Sequence, residues 1–334
     1  MKTVTIKDIA KEAGVSITAV SFVLNGKTNN VSKATAEKIL EICNRCNFKP
    51  NYMASSLKSK SSKTVGCIIP DIENNYYSRL LSRLEEELNT QGYKLLITNS
   101  GYDINRCVEA ISDLVNRMVD YLVIVPPSSF AEKEPSLEET VSNLSVPYVL
   151  LDRTIGAKDN RSILTDDVFG GYLATKYLIN HNHKRIAVIT GPSGISSSRD
   201  RLQGYKKALE EFGIAYDESI IFEGDYHDES GERCGREIIE KHPDVDAIFA
   251  LNDIMAYGVY RVMNEHHIVI GHDISLVGYD DNYFSSLITP RLTTVRQDID
   301  GLCRSVVDEL FKDDETLNTI LVTPTLIERE SVKL

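Results

Sequence analysis

The chain has 334 residues, more than one compact domain accommodates, with 42% hydrophobic and 26% charged residues, the balance of an ordinary globular protein. No apolar run approaches the ~18 residues of a membrane span, the start "MKTVTIKDIAKEAG" is unlike a signal peptide, and the cysteines (Cys43, Cys46, Cys67, Cys107, Cys234, Cys303) form no disulfide framework, so a cytoplasmic protein without a membrane partner is expected. The net charge of −12 is uneven: residues 1–64 carry 11 Lys+Arg against 4 Asp+Glu, a net +7, which leaves −19 for the rest.

That asymmetry suggests that only the N-terminal module meets a polyanion, although a solvated basic face would look the same by charge alone. Residues 5–13, "TIKDIAKEA", set Ile6, Ile9, Ala10 and Ala13 on one helical stripe. Thr5 is the expected N-cap, Asp8 completes a capping box, and Gly14 ends the helix in the left-handed conformation. Ser16 caps a second helix that runs through Leu24 to the turn signal Asn25-Gly26, with Val15, Ala19, Val20 and Val23 inward. A third helix starts at Ser32 and turns Ala36, Ile39, Leu40 and Cys43 inward.

Two short helices joined by a tight Gly-containing turn and braced by a third form a helix-turn-helix, whose second helix enters the major groove. Its outward positions are Ile17, Thr18, Ser21 and Phe22, where a solvated helix carries Lys and Glu. Ile17 and Thr18 can contact thymine methyls, and Ser21 is short enough for close approach. A plain three-helix bundle is the alternative.

"PNYMASSLKSKSSKT" reads as a polar linker with one short helical possibility, Asn51 to Lys58. "TIKDIAKEAGVSITAVSFVLNG", followed by "VSKATAEKILEICNRCNFKPNYMASSLKS", closely resembles the DNA-binding headpiece of the lac repressor family, which includes galactose, ribose and purine repressors. The resemblance covers the whole chain. It implies a headpiece over residues 1–50 with Thr5, Ser16, Ile17, Thr18, Ser21, Phe22, Asn25 and Ser32 at double-stranded operator DNA. It also implies a hinge helix over 51–63 whose Leu57 wedges into the minor groove and kinks the duplex. One headpiece reads one half-site, so a homodimer on a pseudo-palindromic operator follows. The family usually carries Arg where this chain has Phe22.

From Thr64 the chain alternates short β-branched runs ("TVGCIIP", "YKLLIT", "DYLVIV", "PYVLL", then "KRIAVIT", "SIIFEG", "DAIFAL", "DISLVGY") with amphipathic segments. Near-continuous apolar strands with intervening helices predict two doubly wound α/β lobes with parallel sheets. One lobe spans about 64–162 and 295–322 and the other about 163–294 and 323–334, with crossings near 162, 294 and 323. The family resemblance gives this core a periplasmic-binding-protein-like fold that closes by a hinge around a small effector.

Open α/β sheets bind ligands beyond the carboxyl ends of their strands. Polar groups follow the runs in "PDIENNYY", "DRT", "TDD", "GPSG", "LND", "GYDD" and "TTVRQ". The resemblance places Tyr76 and Tyr77 where sugar-binding relatives stack an aromatic pair on the ring, and Asp152 and Arg153 where ribose binders grip ring hydroxyls. Arg201, Asn252, Asp280 and Gln297 complete the set, carboxylates accepting from hydroxyls while Arg and amides donate. Singly, Tyr76 and Tyr77 could be helix-start packing, and Asn252 with Asp253 a helix cap.

Other signals are weaker. Cys43-x-x-Cys46 lacks the His or further Cys that a four-ligand zinc site needs within residues 1–64. "HNH" at 181–183 sits between a helix and a strand, where His183 is structural, and "GPSGISSS" lacks the Lys of a P-loop. No catalytic constellation, metal or cofactor is expected. The leading function is a transcriptional repressor of carbohydrate-utilisation genes under a sugar-like effector; a purine- or phosphoprotein-coregulated factor and a sugar-transport protein are the alternatives. Phe22→Arg is expected to shift operator preference toward guanine at one position per half-site, by about 1–3 kcal/mol. Selection from a random duplex library checks this, and an unchanged consensus would remove Phe22 from the groove.

Overall fold

The computed structural model describes residues 4–24, 26, 30–48, 61–127, 135–155, 161–312 and 319–333, in two units divided between Ser62 and Lys63. In the first unit the local signals close three helices: α1 (Ile6–Ala13), α2 (Ile17–Leu24) and α3 (Lys33–Arg45). Thr5 N–H donates to Asp8 Oδ2 at 2.9 Å in a complete capping box, and Gly14 ends α1 at φ +71°. Ser16 Oγ accepts from Ala19 N at 3.1 Å, and Ser32 Oγ from Thr35 N at 3.2 Å.

Ile9, Ala10, Ala13, Val20, Val23, Ala36, Ile39, Ile42 and Cys43 form one apolar cluster. Leu40, expected inward, is 46% exposed, and Ile42 is buried instead. At about 100° per residue Ile42 and Leu40 flank the stripe centred on Ile39 and Cys43, and the core lies on the Ile42 side. Cys43 is buried and Cys46 half-buried at this cluster, both as free thiols.

The second unit carries twelve strands among the described residues: β1 (Thr64–Ile69), β2 (Lys94–Asn99), β3 (Tyr121–Ile124), β4 (Tyr148–Leu151), β5 (Ser162–Thr165), β6 (Ile186–Thr190), β7 (Ile221–Glu223), β8 (Ala247–Ala250), β9 (Ser275–Tyr279), β10 (Thr293–Arg296), β11 (Thr319–Val322) and β12 (Thr325–Ile327). One sheet runs β11-β5-β4-β3-β1-β2 and the other β12-β10-β9-β8-β6-β7. All pairings are parallel except β10 with β12, an antiparallel edge that the expected all-parallel lobe lacks. Omitting β11 and β12, both sheets repeat the order second-first-third-fourth-fifth, the doubly wound arrangement whose ligand site lies at the strands' carboxyl ends.

Central strands are buried end to end, as "IAVIT" of β6 and "AIFA" of β8 require when helices cover both faces. In the first lobe, helices Asn75–Thr90 and Ile299–Leu310 cover one face, and Ile104–Asn116 with Pro135–Ser142 the other. No described helix is long and apolar enough to cross a membrane.

Two of the expected crossings move. β5 pairs with β4 and β11, so the chain leaves the first lobe after Thr165 rather than near 162. β10 pairs with β9 in the second sheet, so the return expected near 294 lies between Arg296 and Ile299. Each of these strands is four residues long and acquires its identity from distant partners, Ser162 opposite Thr319 and Thr293 opposite Val277. The third crossing lies between Val322 and Thr325.

In the second lobe, helices Asp167–Asn180 and Ser196–Glu211 touch backbone to backbone, since a Cβ on Gly171 would stand 2.1 Å from the Arg201 carbonyl oxygen. Backbone cannot yield as a flexible side chain does, so Gly171→Ala is expected to cost about 1–3 kcal/mol by overpacking. Thermal unfolding of the variant checks this; an unchanged midpoint would refute the close crossing.

Candidate functional site

The lining of the cleft between the lobes is assembled from strand ends. After β1, Asn74 Oδ1 accepts from Tyr76 N at 3.0 Å and starts helix Asn75–Thr90, which sets Tyr76 and Tyr77 in its first turn. Asp152 and Arg153 follow β4, Arg201 lies on the helix after β6, Asn252 follows β8, Asp280 follows β9 and Gln297 follows β10. All eight expected effector residues line one cleft, together with Asn74, Tyr102, Ser197 and Tyr226. The last four were not singled out, yet the strand-end rule reaches Tyr102 and Tyr226, which follow β2 and β7. Ser197 lies inside "GPSGISSS", set aside as a phosphate loop.

Tyr76 and Tyr77, both buried, donate their hydroxyls to Asp152 Oδ1 and Oδ2 at 3.0 and 2.9 Å. Their rings meet edge to face at 5.0 Å, so the pair also fixes a carboxylate, a role that stacking alone does not describe. Arg153 Nε stands 3.4 Å from Asp152 Oδ2, and its Nη1 donates to the Pro126 carbonyl at 3.3 Å. On the other lobe Arg201 donates through Nε to Asp167 Oδ1 at 2.8 Å and through Nη1 to the Leu251 carbonyl at 2.6 Å. Its guanidinium lies 3.7 Å over the Tyr279 ring, and the Tyr279 hydroxyl donates to Asp167 Oδ1 at 2.7 Å. Gln297 links the set, donating to Asp280 Oδ1 at 2.7 Å and accepting from Thr165 Oγ1 at 2.5 Å. Asn252 caps helix Asp253–Glu265 through Met255 N at 2.9 Å and donates to the Tyr226 carbonyl at 3.0 Å. Its capping and lining roles coexist.

Four of the twelve lining residues, Tyr102, Asp152, Tyr226 and Asp280, hold φ values of +59°, +69°, +72° and +104°. Non-glycine residues rarely adopt that region, at about 1–3 kcal/mol each, and such strain gathers at ligand sites. Burial pushes the Asp280 carboxyl up to about 8 despite the nearby Arg201. Asp253, buried and accepting from Ser285 Oγ, Thr294 Oγ1 and Asn282 N, is pushed up to about 7. Asp167 reaches only about 6 by burial, so at neutral pH it faces Arg201 as a carboxylate.

In the headpiece Ile17 is 44% exposed, Thr18 is exposed, and Ser21 and Phe22 are half-buried. Thr5, Ser16 and Ser32 are the exposed caps of α1, α2 and α3. Asn25 and Leu57 lie outside the described residues. His183 is held between Ser275 Oγ at 2.8 Å and Asp246 Oδ1 at 3.3 Å, tying the turn before β6 to β9 and to the residue that precedes β8. Among the described residues no group of His, Cys, Asp and Glu could hold a metal ion.

Residues 5–51 match the family described as bacterial regulatory proteins, lacI family, and residues 175–332 match the periplasmic binding protein-like domain. The chain is 35% identical over 337 residues to the HTH-type transcriptional repressor PurR of Haemophilus influenzae, covering 98% of each. It is similar to the lac repressor dimer bound to operator and the anti-inducer ONPF, with 28% identity, TM-score 0.88 and full coverage of both chains. A LacI family regulator from Enterococcus faecium with bound ribose is 27% identical, with TM-score 0.70, over 81% of this chain and 98% of that one.

Asp280 releases its proton at about 8 in the folded core, against about 3.9 in an unfolded chain. Between those values the folded state binds the extra proton, so stability falls as pH rises. The melting midpoint of the effector-free protein is expected to drop from pH 5 to pH 8.5, and Asp280→Asn, which carries no such proton, to flatten that slope. Parallel slopes for the two proteins would overturn the role of Asp280.

Proposed function

The chain belongs to the lacI family of bacterial regulatory proteins as a DNA-binding transcriptional repressor, and from that premise we propose that it represses carbohydrate-utilisation genes under the control of a sugar bound between its lobes. The single observation that carries the sugar reading is the lining itself. Asp152 and Asp280 accept from hydroxyls, while Arg153, Arg201, Asn252 and Gln297 donate, which suits a polyol with both functions on every carbon. The Enterococcus faecium relative with bound ribose supports this reading. A purine effector is the second reading, suggested by the name PurR of the curated relatives.

As they stand, the lining groups are bonded to one another, so a ligand binds by exchanging these partners for its own hydroxyls. The exchange engages both lobes and therefore favours one lobe angle. A ligand moves the repressor between DNA-binding states only by its differential affinity for them, and operator changes ligand affinity by the same factor.

The dimer reading draws on Tyr283, Phe284 and Leu287, three neighbouring apolar side chains exposed at 63%, 55% and 58%. Leu96 and Ile97 likewise stand exposed on the edge strand β2. Apolar surface so placed suits burial against a second copy, and the lac repressor relative is described as a dimer.

A thermal-shift panel of sugars, sugar phosphates and purines tests the effector class, since a ligand raises the melting midpoint by mass action. Asp280→Ala is expected to bind operator but lose effector affinity about tenfold, as a buried polar group left without its hydrogen-bond partner costs about 1–3 kcal/mol. Wild-type effector affinity by titration calorimetry would remove Asp280 from the site. Arg201→Ala is a poorer probe, because it strands buried Asp167 and Tyr279.

A further inference from the structure

Most polar atoms lining the cleft have partners, and the exceptions are informative. The buried side-chain atoms of the described lining without a hydrogen-bond partner are the Tyr226 hydroxyl and Arg153 Nε. A buried hydroxyl without a partner is costly, and native proteins keep few of them unless something else fills the role.

The Tyr226 hydroxyl is not left over from loose packing. Its residue is only 6% exposed, and its backbone is held at φ +72°. Its carbonyl accepts from Asn252 Nδ2 at 3.0 Å. Its ring lies on the Gly191 backbone, where a Cβ would stand 2.2 Å from Tyr226 Cζ, so any larger residue at 191 would displace the ring. Three separate devices therefore aim one phenol, and the atom they aim has no partner. Ser197 lies close enough to act on the hydroxyl but short of full hydrogen-bond geometry. Arg153 from the first lobe and Arg201 from the second line the same cleft as the phenol, and two guanidiniums favour an electron-rich ligand atom there.

We propose that Tyr226 is a specificity-determining residue: its hydroxyl donates to one oxygen of the effector in the cleft that Arg153 and Arg201 also line. The inference rests on the reading of the cleft as a sugar site and adds to it a contact that the first lobe cannot make. Tyr226 belongs to the second lobe and Arg153 to the first, so an effector that meets both rewards closure. A ligand lacking that oxygen leaves the phenol stranded and is rejected, which is how a site built around a hydroxyl discriminates.

The test uses the full-length protein, titration calorimetry and D-ribose with its 2-, 3- and 5-deoxy analogues. Tyr226→Phe keeps the ring on Gly191, and an unchanged melting midpoint reports an intact core. The variant is expected to bind D-ribose about tenfold or more weakly than the wild type. For one deoxy analogue the wild type should already be weakened, and Tyr226→Phe should then cost nothing further. That pairwise coupling is a result that a merely structural role would not produce. Equal affinity of the two proteins for D-ribose, or equal losses on every analogue, would overturn the proposal while leaving the sugar reading in place. No binding of the series by the wild type would overturn the sugar reading and the proposal with it.

Discussion

The second lobe depends on keeping one guanidinium charged in a place that water does not reach. Arg201 is 4% exposed, and a lone buried cation would be untenable. Asp167 opposes it at 2.8 Å, the Leu251 carbonyl takes a second N–H, and Tyr279 supplies both a ring face and a hydroxyl to the same carboxylate. This arrangement explains features that otherwise look unrelated. Gly171 and Gly204 let two helices close to backbone contact, which brings Arg201 and Asp167 together. Gly170 is small because a Cβ there would strike the Tyr279 hydroxyl. Buried ion pairs of this kind are weak contributors to stability but fix geometry, and here the geometry fixed is a donor at the cleft.

The partition behind the cleft uses the alternation of extended chain in the same economical way. Asp280 and Gln297 bond to each other on the cleft side at 2.7 Å, while their sequence neighbours Asp281 and Arg296 pair at 2.7 Å behind them. Arg79 reaches from the first lobe to the Asp281 carbonyl at 2.7 Å. The helix bearing Arg79 carries Tyr76 and Tyr77 in its first turn, so one element holds both a cleft wall and a bond between the lobes.

What the sequence made legible was local. The caps at Thr5, Ser16 and Ser32 and the stop at Gly14 involve neighbours within a few residues, and all four hold. The cleft residues were legible through the family resemblance, with the ends of the β-branched runs pointing to most of the same segments. β5 and β10 were not, since four residues such as "SILT" become a strand only when β4 and β11 flank them. Leu40 and Ile42 show the same limit: periodicity offers both flanks, and only the packing of α1 and α2 on α3 selects one. Tyr102 and Tyr226 escaped because neither stood in a recognised cluster of polar groups, although each follows a strand.

The repeated strand order carries a symmetry into the cleft. β2 corresponds to β7 and β4 to β9, and each corresponding pair is followed by the same residue type in the same rare backbone conformation: Tyr102 with Tyr226, Asp152 with Asp280. The lobes thus confront each other as two halves of a pseudo-dyad, tyrosine toward tyrosine and aspartate toward aspartate. Halves of equal charge resist approach: burial above all, then Asp253 and last Asp152, push the Asp280 carboxyl up to about 8. The two aspartates are nevertheless not equivalent, since the Asp280 carboxyl holds its proton more tightly than an ordinary carboxylate, so the duplicated architecture is already unequal across the cleft.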